Sequence, residues 1–174
     1  MIGEIASDNS LCGGESASDV IGLQKIDDMI HDPVNDQLKR IWQYMYEGVN
    51  RANYMIENKD KIDFPRKNEL YGEVHFLRAF FYFELVKIYG DVPLFTNGRL
   101  TAGDSGTLKR VSKADVYSVI ESDLQTAIGA LPAKKSLDGR ATSFTAHALL
   151  GKVYLYQEKF SEAANILEPL VGLY

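Results

Sequence analysis

The segment from about Arg66 to Tyr89 constrains this chain more than any other. It follows the breaker Pro65 and carries two apolar stripes at helical spacing. Leu70, Val74, Leu77, Phe81, Leu85 and Ile88 form one; Phe76, Ala79, Phe80, Phe83 and Val86 form the other. A helix that is apolar on two sides needs a cover on two sides, so this segment is expected to be the central rod of a helical fold. Gly90 follows it as a C′ glycine, and Pro93 biases Val92 toward extended backbone.

The flanking segments supply the cover. From about Asp36 to Asn58, Leu38, Ile41, Trp42, Met45, Val49, Ala52 and Ile56 recur mostly every three or four residues, which predicts a one-faced helix capped by Asn35. Gly48 costs about 1 kcal/mol against alanine inside a helix, so its place is expected to be a close approach. Ser112, with Asp115 three residues on, starts a further helix carrying Val116, Val119, Ile120, Leu124, Ala127 and Leu131, and Pro132 ends it. A short helix is expected over Asp19–Met29. The first 20 or so residues, 97–110 and 134–140 are rich in turn formers and read as irregular. No period-2 alternation dominates, so no substantial sheet is expected.

The last two helices, from about Ser143 to Gln157 and from near Ser161 to a break around Pro169, match a tetratricopeptide (TPR) pattern. Leu150-Gly151 precedes Tyr154 by three residues; Ala163 and Leu167 follow. Gly151 and Ala163 are small enough to let two backbones approach, with Tyr154 and Leu167 filling the flanks. His147 stands where the pattern has tryptophan, and Glu158 where the turn often has glycine. The fold class expected is all-α, with TPR-like antiparallel helical pairs and long irregular loops, over one domain spanning 1–174.

Several chemistries find no purchase. The 174 residues carry a formal charge of −5, and no basic stripe for nucleic acid is visible. His31, His75 and His147 lie in separate segments, HExxH is absent, and no metal site is expected. There is no GxSxG, P-loop or GxGxxG, and no cofactor is expected. The single cysteine, Cys12, is read as a small apolar filler beside a turn. Trp42, Phe76, Phe80, Phe81 and Phe83 lie at core spacing and are read as packing residues. Arg51, Asn53 and Arg78 are read as structural, with Glu73 and Glu84 as available carboxylate partners.

An ordered set of phrases resembles the SusD/RagB family. It runs from Trp42 through Tyr46, Gly48-Val49 and Arg51-Ala52-Asn53 to Gly72-Glu73-Val74-His75-Phe76-Leu77-Arg78-Ala79. It continues through Phe81-Tyr82-Phe83 and Tyr89-Gly90-Asp91-Val92-Pro93-Leu94, then Asp123-Leu124 and Leu131-Pro132, then Gly139-Arg140-Ala141-Thr142 into Val153-Tyr154-Leu155-Tyr156. Ser7-Asp8-Asn9 and Gly13-Gly14 are similar to it as well. The resemblance implies the N-terminal TPR-like part of a longer outer-membrane lipoprotein, with the lipid anchor outside this chain. It also implies binding of an oligosaccharide or peptide, delivery to a SusC-like TonB-dependent transporter, and no bond-breaking step. An intracellular TPR peptide scaffold and a helical glycan-processing enzyme are the alternatives. For ligand contact, Asp8, Asn9 and Asp19 in or beside the irregular N-terminal segment are the expected candidates, with turn-making as their structural alternative.

Overall fold

A computed structural model describes residues 2–7, 9–16, 18–106, 108–133 and 139–172. They are helical apart from loops and one two-residue antiparallel bridge. The chain falls into two compact units, 1–44 and 45–174.

In the first unit α1 (Ile2–Ile5) is a single turn that the composition did not indicate. α2 (Ile21–Asp27) is shorter than the expected span of Asp19–Met29. Val20 (φ 44°) and Met29 (φ 56°) occupy the left-handed region on either side of it, where an L-residue cannot continue a right-handed helix. Asn35 caps α3 (Asp36–Glu57), whose residues from Met45 on belong to the second unit: its Oδ1 accepts the Gln37 and Leu38 N–H groups at 3.0 and 3.1 Å. Its Nδ2 donates to the Gly22 carbonyl at 2.9 Å, tying α2 to the start of α3.

In the second unit α4 (Lys67–Tyr89) is the central rod. Gly90, at φ 67°, ends it as expected. β1 (Val92–Pro93) then pairs with β2 (Arg110–Val111), closing the stem of the 97–110 loop. Ser112 Oγ accepts the Asp115 N–H at 3.2 Å and starts α5 (Lys113–Ala130). α5 packs along α4, with Gly72 against Ala130 and Leu131. On α4's other flank Gly48 of α3 meets Phe81; a Cβ at Gly48 would lie 2.6 Å from ring carbons of Phe81. Close approach is therefore the reason for that glycine. Val49, Ala79, Tyr82, Leu85, Ile120 and Leu124 are fully buried between these elements.

α4 is not covered all round among the described residues. Leu77 and Phe80, both expected inside, are 45% and 36% exposed, while Tyr82, in neither stripe, is fully buried. α3 and α5 cover two flanks and leave the edge bearing Leu77 and Phe80 open.

α6 (Ser143–Tyr156) begins with a reciprocal cap between Thr142 and Thr145. It turns back into α7 (Phe160–Leu167), and a 3₁₀ turn at Glu168–Leu170 carries Pro169. A Cβ on Gly151 would lie 2.6 Å from Leu167, and Ala163 is buried, so the TPR-like pair closes on its small residues as the spacing predicts. Glu158, at the turn, is held at φ 61°.

Candidate functional site

Of the three expected ligand contacts, Asp8 lies outside the described residues. Asn9 is exposed, and its backbone N–H donates to Ser7 Oγ at 3.4 Å. Asp19 organises a turn: its Oδ2 accepts the backbone N–H groups of Glu15 (2.6 Å) and Ser16 (3.3 Å), and its carbonyl accepts from Gln24 Nε2 at 2.9 Å. The chain passes so close that a Cβ on Gly14 would sit 2.5 Å from Asp19 Cβ. Nearby, Asp27 Oδ2 accepts the Cys12 N–H at 2.7 Å, and Cys12 is a half-buried free thiol. The segment is irregular yet held by carboxylates that accept backbone N–H groups, which satisfies donors that no helix or sheet takes up.

The second unit holds a buried polar cluster that the sequence placed only in part. Arg78 donates from Nε to Asp123 Oδ2 and from Nη2 to Asp123 Oδ1, both at 2.7 Å. Its Nη1 donates to Asn53 Oδ1 at 2.7 Å and to the Thr96 carbonyl at 3.1 Å. His75 Nδ1 lies 2.7 Å from Asp123 Oδ1. Both members of the central ion pair are buried, with side chains 7% and 4% exposed. A charge so far from water needs this bidentate geometry to offset its lost hydration.

The partners differ from those expected. Arg78 takes Asp123, not Glu73 or Glu84. Glu73 instead receives Arg140, whose Nε donates at 2.6 Å. Arg51 is exposed and pairs with Glu47 one turn back on its own helix. One sequence signal pointed to Asp123: it interrupts the apolar run Val116, Ile120, Leu124, Ala127 on the buried side of α5. A carboxylate there needs a buried cation.

This cluster anchors the strand that leaves α4. Asn53 Nδ2 donates to the Phe95 carbonyl at 3.0 Å; Tyr82 Oη donates to that carbonyl at 2.6 Å and accepts the Phe95 N–H at 3.1 Å. Tyr46 Oη donates to the Pro93 carbonyl at 2.7 Å, and Asn50 bonds both backbone groups of Leu100. Side chains from α3 and α4 thus supply the partners that a neighbouring strand supplies in a sheet. Burial pushes the Tyr82 phenol up to about 12 and the Tyr46 phenol well above its usual range. Separately, a recess of about 380 Å³ opens beside the Glu73–Arg140 pair, with Phe76, Leu77, Ala141 and Thr145 in its wall.

Among the described residues, no group of three His, Cys, Asp or Glu side chains is placed to hold a metal ion, and no helix is long and apolar enough to cross a membrane.

Comparison with known proteins follows the same lines. A family model described as SusD-like, starch-binding and associating with the outer membrane, matches residues 3–155. The SusD-like protein P38 of Formosa agariphila is 31% identical over 131 residues, which are 75% of this chain and 26% of that protein. A SusD-like protein of Bacteroides ovatus is 31% identical over 128 residues, 70% of this chain and 23% of its own length. This chain therefore spans about a quarter of these relatives. Among solved structures, a laminarin-binding SusD-like protein superposes with a TM-score of 0.84 at 35% identity, covering 92% of this chain and 35% of that one. A SusD-like protein of Bacteroides fragilis gives 0.79 at 33% identity, over 87% and 30%. With a match over most of its length and the same helical fold, this chain belongs to the SusD-like family.

Proposed function

We propose that this chain is the TPR-like portion of a longer outer-membrane protein that captures a glycan without breaking a bond and passes it to a SusC-like TonB-dependent transporter. The observation that carries this reading is the likeness to the laminarin-binding SusD-like protein across 92% of the chain. An outer-membrane location is supported by the family description, associating with the outer membrane; the outward-facing orientation and the lipid anchor belong to the proposal. The rigid helical scaffold supports a binding role, because a site held on packed helices needs little ordering when the ligand arrives.

Asp8, Asn9 and Asp19 are the proposed ligand contacts of the N-terminal segment. Asn9 offers an exposed carboxamide, and Asp19 shapes the turn that presents the segment. The test is titration calorimetry of the complete protein against soluble laminarin, starch, xylan and pectin, with reducing ends measured in parallel. Saturable binding with no new reducing ends is expected. Cleavage that vanishes when one carboxylate is replaced would overturn the binding-only role. Co-purification of the complete protein with a TonB-dependent transporter from the same cells tests the delivery step.

A further inference from the structure

α3 carries a surface that its core does not need. Its buried edge is Val49, Ala52 and Asn53, yet the opposite edge presents Tyr54, 49% exposed, and Met55, 45% exposed. Exposed apolar side chains point to a ligand where they adjoin a recess with convergent polar groups. The loop after β1 builds the other wall. Asn50 accepts the Leu100 N–H at 2.7 Å and donates to the Leu100 carbonyl at 3.3 Å, so that backbone is fixed against the helix. Arg99, one residue earlier, is thereby brought to Tyr54, its guanidinium carbon 5.8 Å from the ring centroid.

The result is a recess of about 430 Å³ lined by Glu47, Asn50, Arg51, Tyr54, Met55 and Arg99. That volume falls within the range of small-molecule sites, roughly 300–1,000 Å³. We infer that this recess is a sugar subsite, taking one pyranose ring of the bound glycan; the inference rests on the glycan-binding reading above and gives it a second location, apart from the N-terminal segment.

The chemistry fits a sugar at each point. The Tyr54 ring and the Met55 thioether offer an apolar surface to the C–H face of a pyranose. Glu47 and Arg51, already paired with each other, set an acceptor beside a donor, which suits neighbouring hydroxyls. Arg99 lines the recess with its guanidinium beside the Tyr54 ring, which sets cationic donors where ring and hydroxyl oxygens would lie. The Asn50 clamp fixes the loop backbone beforehand, which lowers the ordering cost of binding.

The test uses the complete protein and the glycan panel named above. Tyr54→Ala is expected to weaken binding of whichever panel glycan the wild type takes by about tenfold, and Arg99→Ala by several-fold. Tyr54→Phe, which keeps the ring, should restore most of the affinity lost in Tyr54→Ala. Tyr156→Ala, which removes a similarly exposed tyrosine (54%) outside the recess, serves as the control and should bind as wild type. Thermal midpoints check that each variant is folded. A folded Tyr54→Ala/Arg99→Ala double variant with wild-type affinity would overturn the subsite and leave glycan binding standing. A wild type that binds none of the panel would remove both.

Discussion

Replacing Arg78 by methionine tests the reading of the buried cluster most directly. The substitution keeps a long apolar stem and removes four donated hydrogen bonds: two to Asp123, one to Asn53 and one to the Thr96 carbonyl. It leaves the Asp123 carboxyl group in a site where its side chain is 4% exposed, with His75 as the remaining side-chain partner. Breaking one half of a buried ion pair costs about 3–5 kcal/mol, chiefly because the other charge stays behind. For a chain of this size that corresponds to a fall in thermal midpoint of roughly 10 °C. Urea unfolding followed by far-UV circular dichroism measures it, with Arg51→Met beside it. Arg51 sits in an exposed pair with Glu47, and its loss should cost at most about 0.5 kcal/mol. In Arg78→Met/Asp123→Leu the charge is gone from both sides, so the double variant should be less destabilised than the sum of the two single ones. If Arg78→Met cost no more than Arg51→Met, the cluster would not be the anchor described.

Two further outcomes follow from the backbone and from the phenols. Glu158 occupies a left-handed turn position at φ 61° and is exposed, so Glu158→Gly should stabilise by about 1 kcal/mol in the same urea assay; a loss of stability would mean that its side chain makes a contact worth more than the strain. Tyr82 is raised from 10.0 to about 12 by burial, so the folded state favours the neutral phenol. That contribution, roughly 3 kcal/mol, is fully present below pH 10 and is lost as pH rises from about 10 through 12. Stability measured between pH 9 and 12 should fall over that window, and a flat profile would refute the burial argument.

Much of this protein could be read along the chain, because helices are written in local periodicity. The spans of α3 and α4, the Asn35 and Ser112 caps, the stop at Gly90 and the Gly151–Ala163 approach all depend on residues within a few turns of one another. The ordered phrases that resemble the SusD/RagB family also turn out to share a purpose: Asn53, Arg78 and Asp123, from three separate phrases, meet in one buried cluster. What periodicity could not supply was the identity of partners far apart in sequence. Arg78 and Asp123 are 45 positions apart and Glu73 and Arg140 are 67, and several carboxylates were equally available on composition alone.

The same division applies to exposure and to the candidate sites. The sequence alone settled that the chain is helical and that 66–89 is its central rod, since an apolar stripe at helical spacing has one stable outcome. Only the tertiary structure decided that Leu77 and Phe80 stay open while Tyr82 is enclosed, and that a loop some 50 residues downstream is pinned to Asn50 and brings Arg99 beside Tyr54. Which face of a helix meets water depends on the neighbours that arrive there, and that is fixed by packing between segments and not by the order of residues within one.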